Sequence, residues 1–212
     1  MRKFRAIALS VASAFVLVAA SATFVSADQL NPQTGPDVKT DAAGLNVAAA
    51  APTCSRQSAA NALGQDIFLS TANPQTYTGT AWQNVSCTAT TFRLKYGERA
   101  LVTANVSAET DCNGSSPTNG QWCEGRALLN GVEGRPVAAE PDSFAFDSVA
   151  GGSFNWQAHS FQRGWEVRCA EANGCQYKFA VQTKMHNTTV TSMWLDEVAA
   201  NIHVTVGAPA AL

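Results

Sequence analysis

The chain has 212 residues, with 14 Lys and Arg against 16 Asp and Glu, a formal net charge of −2 and only 14% charged residues. This balance excludes an electrostatic footprint for nucleic acid or an anionic membrane surface, and the length suits one domain with a full hydrophobic core. A low charged fraction with many Thr, Ser, Asn and Ala fits an exported β-rich protein rather than a cytosolic helical one.

Residues 1–27 read as a secretory signal peptide. Arg2, Lys3 and Arg5 form a basic head, Ala6 to Val25 is uncharged, and Val25-Ser26-Ala27 offers small residues for cleavage. Cleavage removes these three basic residues and no acid, leaving 11 Lys and Arg against 16 Asp and Glu, a net charge of −5. No Cys precedes Cys54 to take a lipid, and no adjacent arginines mark export in the folded state. The chain is therefore expected to leave the cytosol unfolded and to oxidise afterwards, in the periplasm or outside the cell. No second apolar run of membrane length follows, so no membrane association is expected after cleavage. Residues 28–53 contain Pro, Gly and Ala but no aromatic side chain and read as a flexible leader. Residues 54–207 read as a single domain, with 208–212 as a tail.

At the start of the domain, "SRQSAANAL" (55–63) suggests a short helix. Beyond about Asp66 the signals are those of strands: short runs rich in Val, Thr, Phe and Tyr, parted by Gly, Asn and Pro. "IFLST", "AWQNVSCTA" and "TFRLKYG" are the first of them. In "ALVTANVSAE" Val102, Ala104, Val106 and Ala108 share one face, and Thr103, Asn105 and Ser107 share the other, the period of a half-buried strand. "RALLNGVEGRP" carries Asn130-Gly131, the pair expected where both central turn residues need positive φ, and predicts a hairpin. "DSFAFDS" and "SFNWQAHSFQ" follow. In "CQYKFAVQTK" Tyr177, Phe179 and Val181 alternate with polar or small neighbours, as do Ile202, Val204 and Val206 in "NIHVTV". About eight to ten short strands, no long connecting helix and no internal repeat predict an all-β fold, an antiparallel β-sandwich of jelly-roll type.

Strand parity then orders the cysteines. Cys112 continues the face of Val102 to Ala108, and Cys123 shares the parity of Ala127 and Leu129. Cys169 follows Trp165 and Val167, and Cys175 precedes Tyr177 and Phe179, again at shared parity. Proximity and parity predict Cys112–Cys123 and Cys169–Cys175, each across a hairpin, and leave Cys54 with Cys87, pinning the leader to an early strand. Zinc binding is disfavoured, because ten and five residues separate the two close pairs and no His lies near either. There is no Cys-x-x-Cys redox motif either.

No motif names a reaction. The three histidines, His159, His186 and His203, have no G-x-S-x-G elbow to serve and read as surface or hydrogen-bonded structural groups; "GGS" at 151–153 reads as a loop. The acidic groupings are Glu140 with Asp142, Asp147, and Asp196 with Glu197. Asp142 and Asp147 are candidate calcium ligands, and either of them facing Asp196 or Glu197 would make a glycosidase-like pair. Of the five tryptophans, Trp156 and Trp165 have core parity, with Trp194 in the run before the last strand. Trp82 and Trp122 lie near loops and are the candidate ligand-binding aromatics. Sequons begin at Asn84, Asn105, Asn113 and Asn187 and read as chance matches in an Asn/Ser/Thr-rich chain.

The succession "ALVTANVSAETDC", "WCEGRALLNGVEGRP", "FAFDS", "WQAHSFQRG" and "MWLDEVAANIHVTV", spanning about residues 85–206, resembles a recurrent group of secreted, mostly uncharacterised bacterial β-sandwich proteins. Their outline is similar to the jelly roll of the complement C1q and tumour-necrosis-factor type. The resemblance implies a binding module, often trimeric in that type, although no collagen-like Gly-x-y stem is present here; it implies no catalytic residue. The function expected is thus a secreted, non-enzymatic binding or surface-interaction module without a cofactor, whose partner is an extracellular glycan or protein, as a monomer or an oligomer. A carbohydrate-binding module, a secreted hydrolase with paired carboxylates and a structural envelope or matrix protein are the alternatives.

Overall fold

The computed structural model describes residues 51–115, 121–137, 145–149 and 156–207. The expected signal peptide (1–27), most of the expected leader (28–53), the expected tail (208–212), Glu140, Asp142 and residues 151–153, read as a loop, lie outside them.

The described strands are β1 (Ser55–Asn61), β2 (Gly64–Thr71), β3 (Gln75–Tyr77), β4 (Gln83–Asn84), β5 (Thr90–Leu94), β6 (Arg99–Gly114), β7 (Trp122–Leu129), β8 (Val132–Glu133), β9 (Ala145–Ser148), β10 (Gln157–Arg168), β11 (Cys175–Met185) and β12 (Val190–Gly207). The first sheet has the order β1-β2-β12-β6-β10, with β3 also on β12. The second runs β4-β11-β7-β8, with β5 also on β11 and β9 on β7. Every pairing is antiparallel. After β2 and β3 the chain passes to the second sheet for β4 and β5, returns for β6, crosses for β7 to β9, and then alternates through β10, β11 and β12. This winding is a jelly roll, so the expected fold class stands. Its strands number more than eight to ten because short pieces such as β3, β4 and β8 join the main ones.

Alternation explains the core. Val102, Ala104 and Val106 of β6 are sealed from solvent, as are Phe179, Val181 and Met185 of β11 and Ala200, Ile202 and Val204 of β12. Their neighbours Leu101, Asn105, Asn201 and His203 face outward. In β12 the inward parity changes at two register shifts against β6, the first between buried Val190 and Ser192. Met193 and Leu195 face the core, then the register against β6 shifts between Asp196 and Ala199, with Glu197 at φ 47°, and Val198 and Ala200 take over. A one-residue slip reverses every later side chain, and the bulge supplies that slip where the hydrophobic pattern demands it.

All three expected disulfides are present: Cys54–Cys87, Cys112–Cys123 and Cys169–Cys175, with Cα separations of 5.0, 5.8 and 5.4 Å. Three bridges place the folded chain in an oxidising, non-cytosolic environment. Their setting differs from the expectation. Neither close pair spans a hairpin: β6 and β7 belong to different sheets, as do β10 and β11. Inward-facing cysteines at facing strand ends meet across the sandwich, whereas two on one hairpin would lie side by side in one sheet. Each bridge therefore clamps the two layers where the chain crosses between them.

Three further expectations are corrected. Residues 55–63 form no helix; β1 pairs with β2 along seven positions, and Asn61 Oδ1 accepts the Leu63 N–H at the turn. An isolated helix of this length is unstable in water, while the β2 edge offers a row of unpaired backbone groups. "AWQNVSCTA" is mostly connection, with strand only at Gln83–Asn84, because Cys87 adopts a φ of 63°. The even-numbered residues of β10 face outward, so Ala158 is exposed and Trp156 half-buried, while Trp165 on odd parity is in the core. The Asn130-Gly131 turn is as expected, with φ of 50° and 81° and Leu129 opposite Val132.

Replacing Cys112 and Cys123 together by Ala is expected to lower stability by about 2–4 kcal/mol under oxidising conditions. Thermal or urea unfolding checks this, and an unchanged midpoint would refute the clamp.

Candidate functional site

The outer face of the second sheet carries an organised polar layer. β7 and β11 are adjacent, with Arg126 opposite Gln182 and Glu124 opposite Lys184. Even-numbered residues point outward on both, so Trp122, Glu124 and Arg126 lie beside Gln182, Lys184 and His186. Trp82, from the connection between β3 and β4, covers them.

The contacts form a continuous chain. The Arg126 guanidinium sits 4.0 Å from the centre of the Trp82 ring and the Lys184 ammonium 4.8 Å from it, both within cation–π range. Arg126 also donates from Nε and Nη2 to Gln182 Oε1, at 2.9 and 2.6 Å, and Gln182 Nε2 donates to Asn84 Oδ1 at 3.0 Å. Lys184 Nζ lies 3.1 Å from Glu124 Oε2, and His186 Nδ1 donates to Glu124 Oε1 at 2.7 Å. The His186 ring stacks on Trp122, with centroids 3.8 Å apart. Glu124 has no exposed surface although its strand position faces away from the core. Burial also lowers the pKa of Arg126, against the opposing pull of Glu133 and Glu124.

The two tryptophans singled out from the sequence thus share one face. Neither presents a bare ring: cations lie over Trp82, an imidazole covers Trp122, and both are half-buried. Glu124, Arg126, Gln182 and Lys184 were not singled out. Their signal is the alternation Trp122-x-Glu124-x-Arg126 and Gln182-x-Lys184-x-His186, which marks outward faces but does not say that the two strands are neighbours.

Asp147 is not a solvated loop acid. It is buried, with Oδ2 accepting from Thr110 Oγ1 at 2.7 Å and Oδ1 from the Ser148 N–H at 2.7 Å. Its pKa is raised by burial, against the lowering effect of these hydrogen bonds. The Thr110 oxygen accepts from His159 Nδ1 at 2.7 Å. The Thr110 hydroxyl is sealed and His159 lies 3.9 Å from Asp147, so these groups form a relay of hydrogen bonds between the sheets rather than a nucleophile with its base. Both Asp147 oxygens have protein donors, and among the described residues no three His, Cys, Asp or Glu side chains are grouped to hold a metal ion.

Asp196 and Glu197 do not meet Asp147. Asp147 points between the sheets toward Thr110, whereas Asp196 stands opposite Glu109 on the outer face of the first sheet. That face is acidic around the β12 bulge. The Glu109 pKa is raised by burial and then by repulsion from Glu197 and Asp196; that of Asp196 is raised by burial, against the lowering effect of the hydrogen bond from the Glu197 N–H, with a smaller raising effect from the Glu197 charge. Nearby, Trp156 packs edge-on against Trp194, with centroids 3.7 Å apart. His203 pairs with Asp66 on the same face, as expected of a surface histidine.

No protein-family model matches the chain, and no match is found among the curated proteins.

Glu124→Ala removes the shared anion of Lys184 and His186 and is expected to cost about 1.5–3 kcal/mol; an unshifted urea midpoint would contradict this. A carboxyl whose pKa is raised in the folded state contributes stability below its unfolded value that is lost as pH rises through the folded one. Glu109→Gln should therefore raise the melting temperature at about pH 7, with the gain vanishing at about pH 3, where the wild-type carboxyl is protonated in both states. Melting curves at the two pH values check the sign, and a gain that grows on acidification would reverse it.

Proposed function

We propose that this chain is an exported binding module that engages its partner through the outer face of the second sheet. The observation that carries this reading is the sealed Glu124 with its ring of partners. An outward sheet face with no role needs only solvated polar side chains, and much of the first sheet's outer face has them: Asn105, Ser107, Ser160 and Asn201 are exposed. The second sheet instead holds Trp82, Arg126, Gln182, Lys184, Glu124, His186 and Trp122 in one bonded array. Pre-ordered aromatic and charged groups lose little entropy on binding. The basic, hydrophobic and small-residue signature of residues 1–27 supports secretion, as does the oxidised state of all six cysteines. The sequence resemblance to the complement C1q and tumour-necrosis-factor type, which hosts binding modules, is compatible with this reading; fold alone assigns no ligand.

The reading is tested by screening the purified, oxidised protein for ligands by thermal shift, using glycans and soluble extracellular proteins. A saturable upward shift that Trp82→Ala reduces by about tenfold in affinity, and Glu109→Gln leaves intact, is the expected result. A ligand whose binding responds to Glu109 and not to Trp82, or a glycan that is cleaved rather than held, would overturn it.

A further inference from the structure

Beside the Trp82 cluster, the same outer face contains an open groove of about 340 Å³. Its floor is Lys178, Ala180 and Gln182 of β11, one wall is Asn84 to Ala89, and the other is Leu128 with Gly131 at the β7–β8 turn. At Lys178 and Ala89 it continues into a second depression lined by Thr90, Thr91 and Arg56, a side chain that reaches over from β1. Arg93 stands opposite Gln176 on β5 and points to the same side.

The charge of this track is unlike that of the chain. The mature protein carries a net charge of −5, yet Arg56, Arg93, Lys178, Arg126 and Lys184 gather along one face. Among the described residues, no ion pair engages Arg56, Arg93 or Lys178; Arg56 bonds only to the hydroxyls of Thr90 and Ser58. Of the nearby acids, Glu124 at the far end is already held by Lys184 and His186, and Glu133, opposite Leu128, acts on Arg126. From Lys178 to Lys184 the line along β11 spans about 20 Å at about 3.3 Å per residue, long enough for several units of an extended polymer.

We infer that this groove binds an anionic polysaccharide, a chain whose regularly spaced carboxylates or sulfates meet Lys178, Arg93 and Arg56 while its hydroxyls meet the amides of Asn84 and Gln182 and the hydroxyls of Thr90 and Thr91. The chemistry selects a glycan over an acidic peptide. β11, which forms the floor, is paired on both sides and offers no free edge there to a peptide backbone. The apolar lining is Ala180 in the floor with Val85, Ala89 and the partly covered Leu128 in the walls, without a deep apolar pocket for a side-chain anchor. Spaced cations, planar amides and hydroxyls over a shallow floor suit a hydrated, repeating, charged ligand. The inference rests on the reading of this face as the binding face and adds the ligand class.

The test measures binding of polygalacturonate, dextran sulfate, neutral dextran and polyglutamate to the oxidised full protein, to the Lys178→Glu/Arg93→Glu variant and to Trp82→Ala. Both reversed side chains are exposed, and a melting curve of the variant verifies its fold. Saturable binding of polygalacturonate or dextran sulfate, weakened by added salt and by roughly tenfold or more in the charge-reversed variant, is expected; which polymer binds separates carboxylate from sulfate. Dextran binding that ignores charge reversal but falls in Trp82→Ala would overturn the anionic class and leave the binding face standing. Polyglutamate held as tightly as either glycan would overturn it in favour of an acidic peptide. Absence of binding to all four polymers would overturn the glycan, with the wider ligand screen still deciding the binding face.

Discussion

The long antiparallel ladder between β6 and β12 is the interaction on which the rest of this sandwich depends. The two strands, of 16 and 18 residues, pair from Arg99–Gly207 at one end to Gly114–Val190 at the other. Between them they supply the centre of the first sheet and much of the buried surface, through Val102, Ala104, Val106, Ala200, Ile202 and Val204. β2 and β3 attach to the free side of β12, and β10 to the free side of β6. The bulge at Asp196–Ala199 keeps both halves of β12 facing the core over this length, and it turns Asp196 and Glu197 outward beside Glu109.

The second sheet is joined to this frame by covalent and polar links at the crossings. Cys112–Cys123 binds the end of β6 to the start of β7, and Cys169–Cys175 binds the end of β10 to the start of β11. Close to the first, Thr110 of β6, Asp147 of β9 and His159 of β10 add a buried hydrogen-bonded link between layers. Cys54–Cys87 ties the chain preceding β1 to the connection after β4. Such links restrict sliding of one sheet over the other, and a face built on β7 and β11 inherits their rigidity. The ordered array of Trp82, Arg126, Glu124, Lys184 and His186 depends on that support, since side chains hold a shared geometry only when their strands do.

The two outer faces then divide the charge. Acids collect on the first sheet around the bulge, where they repel one another, and uncompensated cations collect on the second beside the groove. Neither grouping is visible in the net charge, because each is assembled from strands distant in the sequence.

Much of this was legible in the residues alone. Period-two alternation marks a strand locally, since successive side chains point to opposite faces whatever the partner, and so β6, β11 and β12 could be read directly. Asn130-Gly131 announces its turn through its own backbone preference, and parity with proximity in sequence paired Cys112 with Cys123 and Cys169 with Cys175, leaving Cys54 and Cys87 as the remainder. What lay beyond reach was every choice of neighbour. Whether Cys112 and Cys123 face each other within a sheet or between sheets, whether residues 55–61 coil or extend, and whether Glu124 meets Lys184 all turn on which strands become adjacent. The sequence by itself determined the strongly alternating strands, their buried faces and the two short-range cysteine pairs, because these follow from local sterics, hydrophobic period and proximity along the chain. Only the tertiary structure decided the order of strands in each sheet, and with it the outward array and the groove, because adjacency is settled by burying all the apolar faces at once.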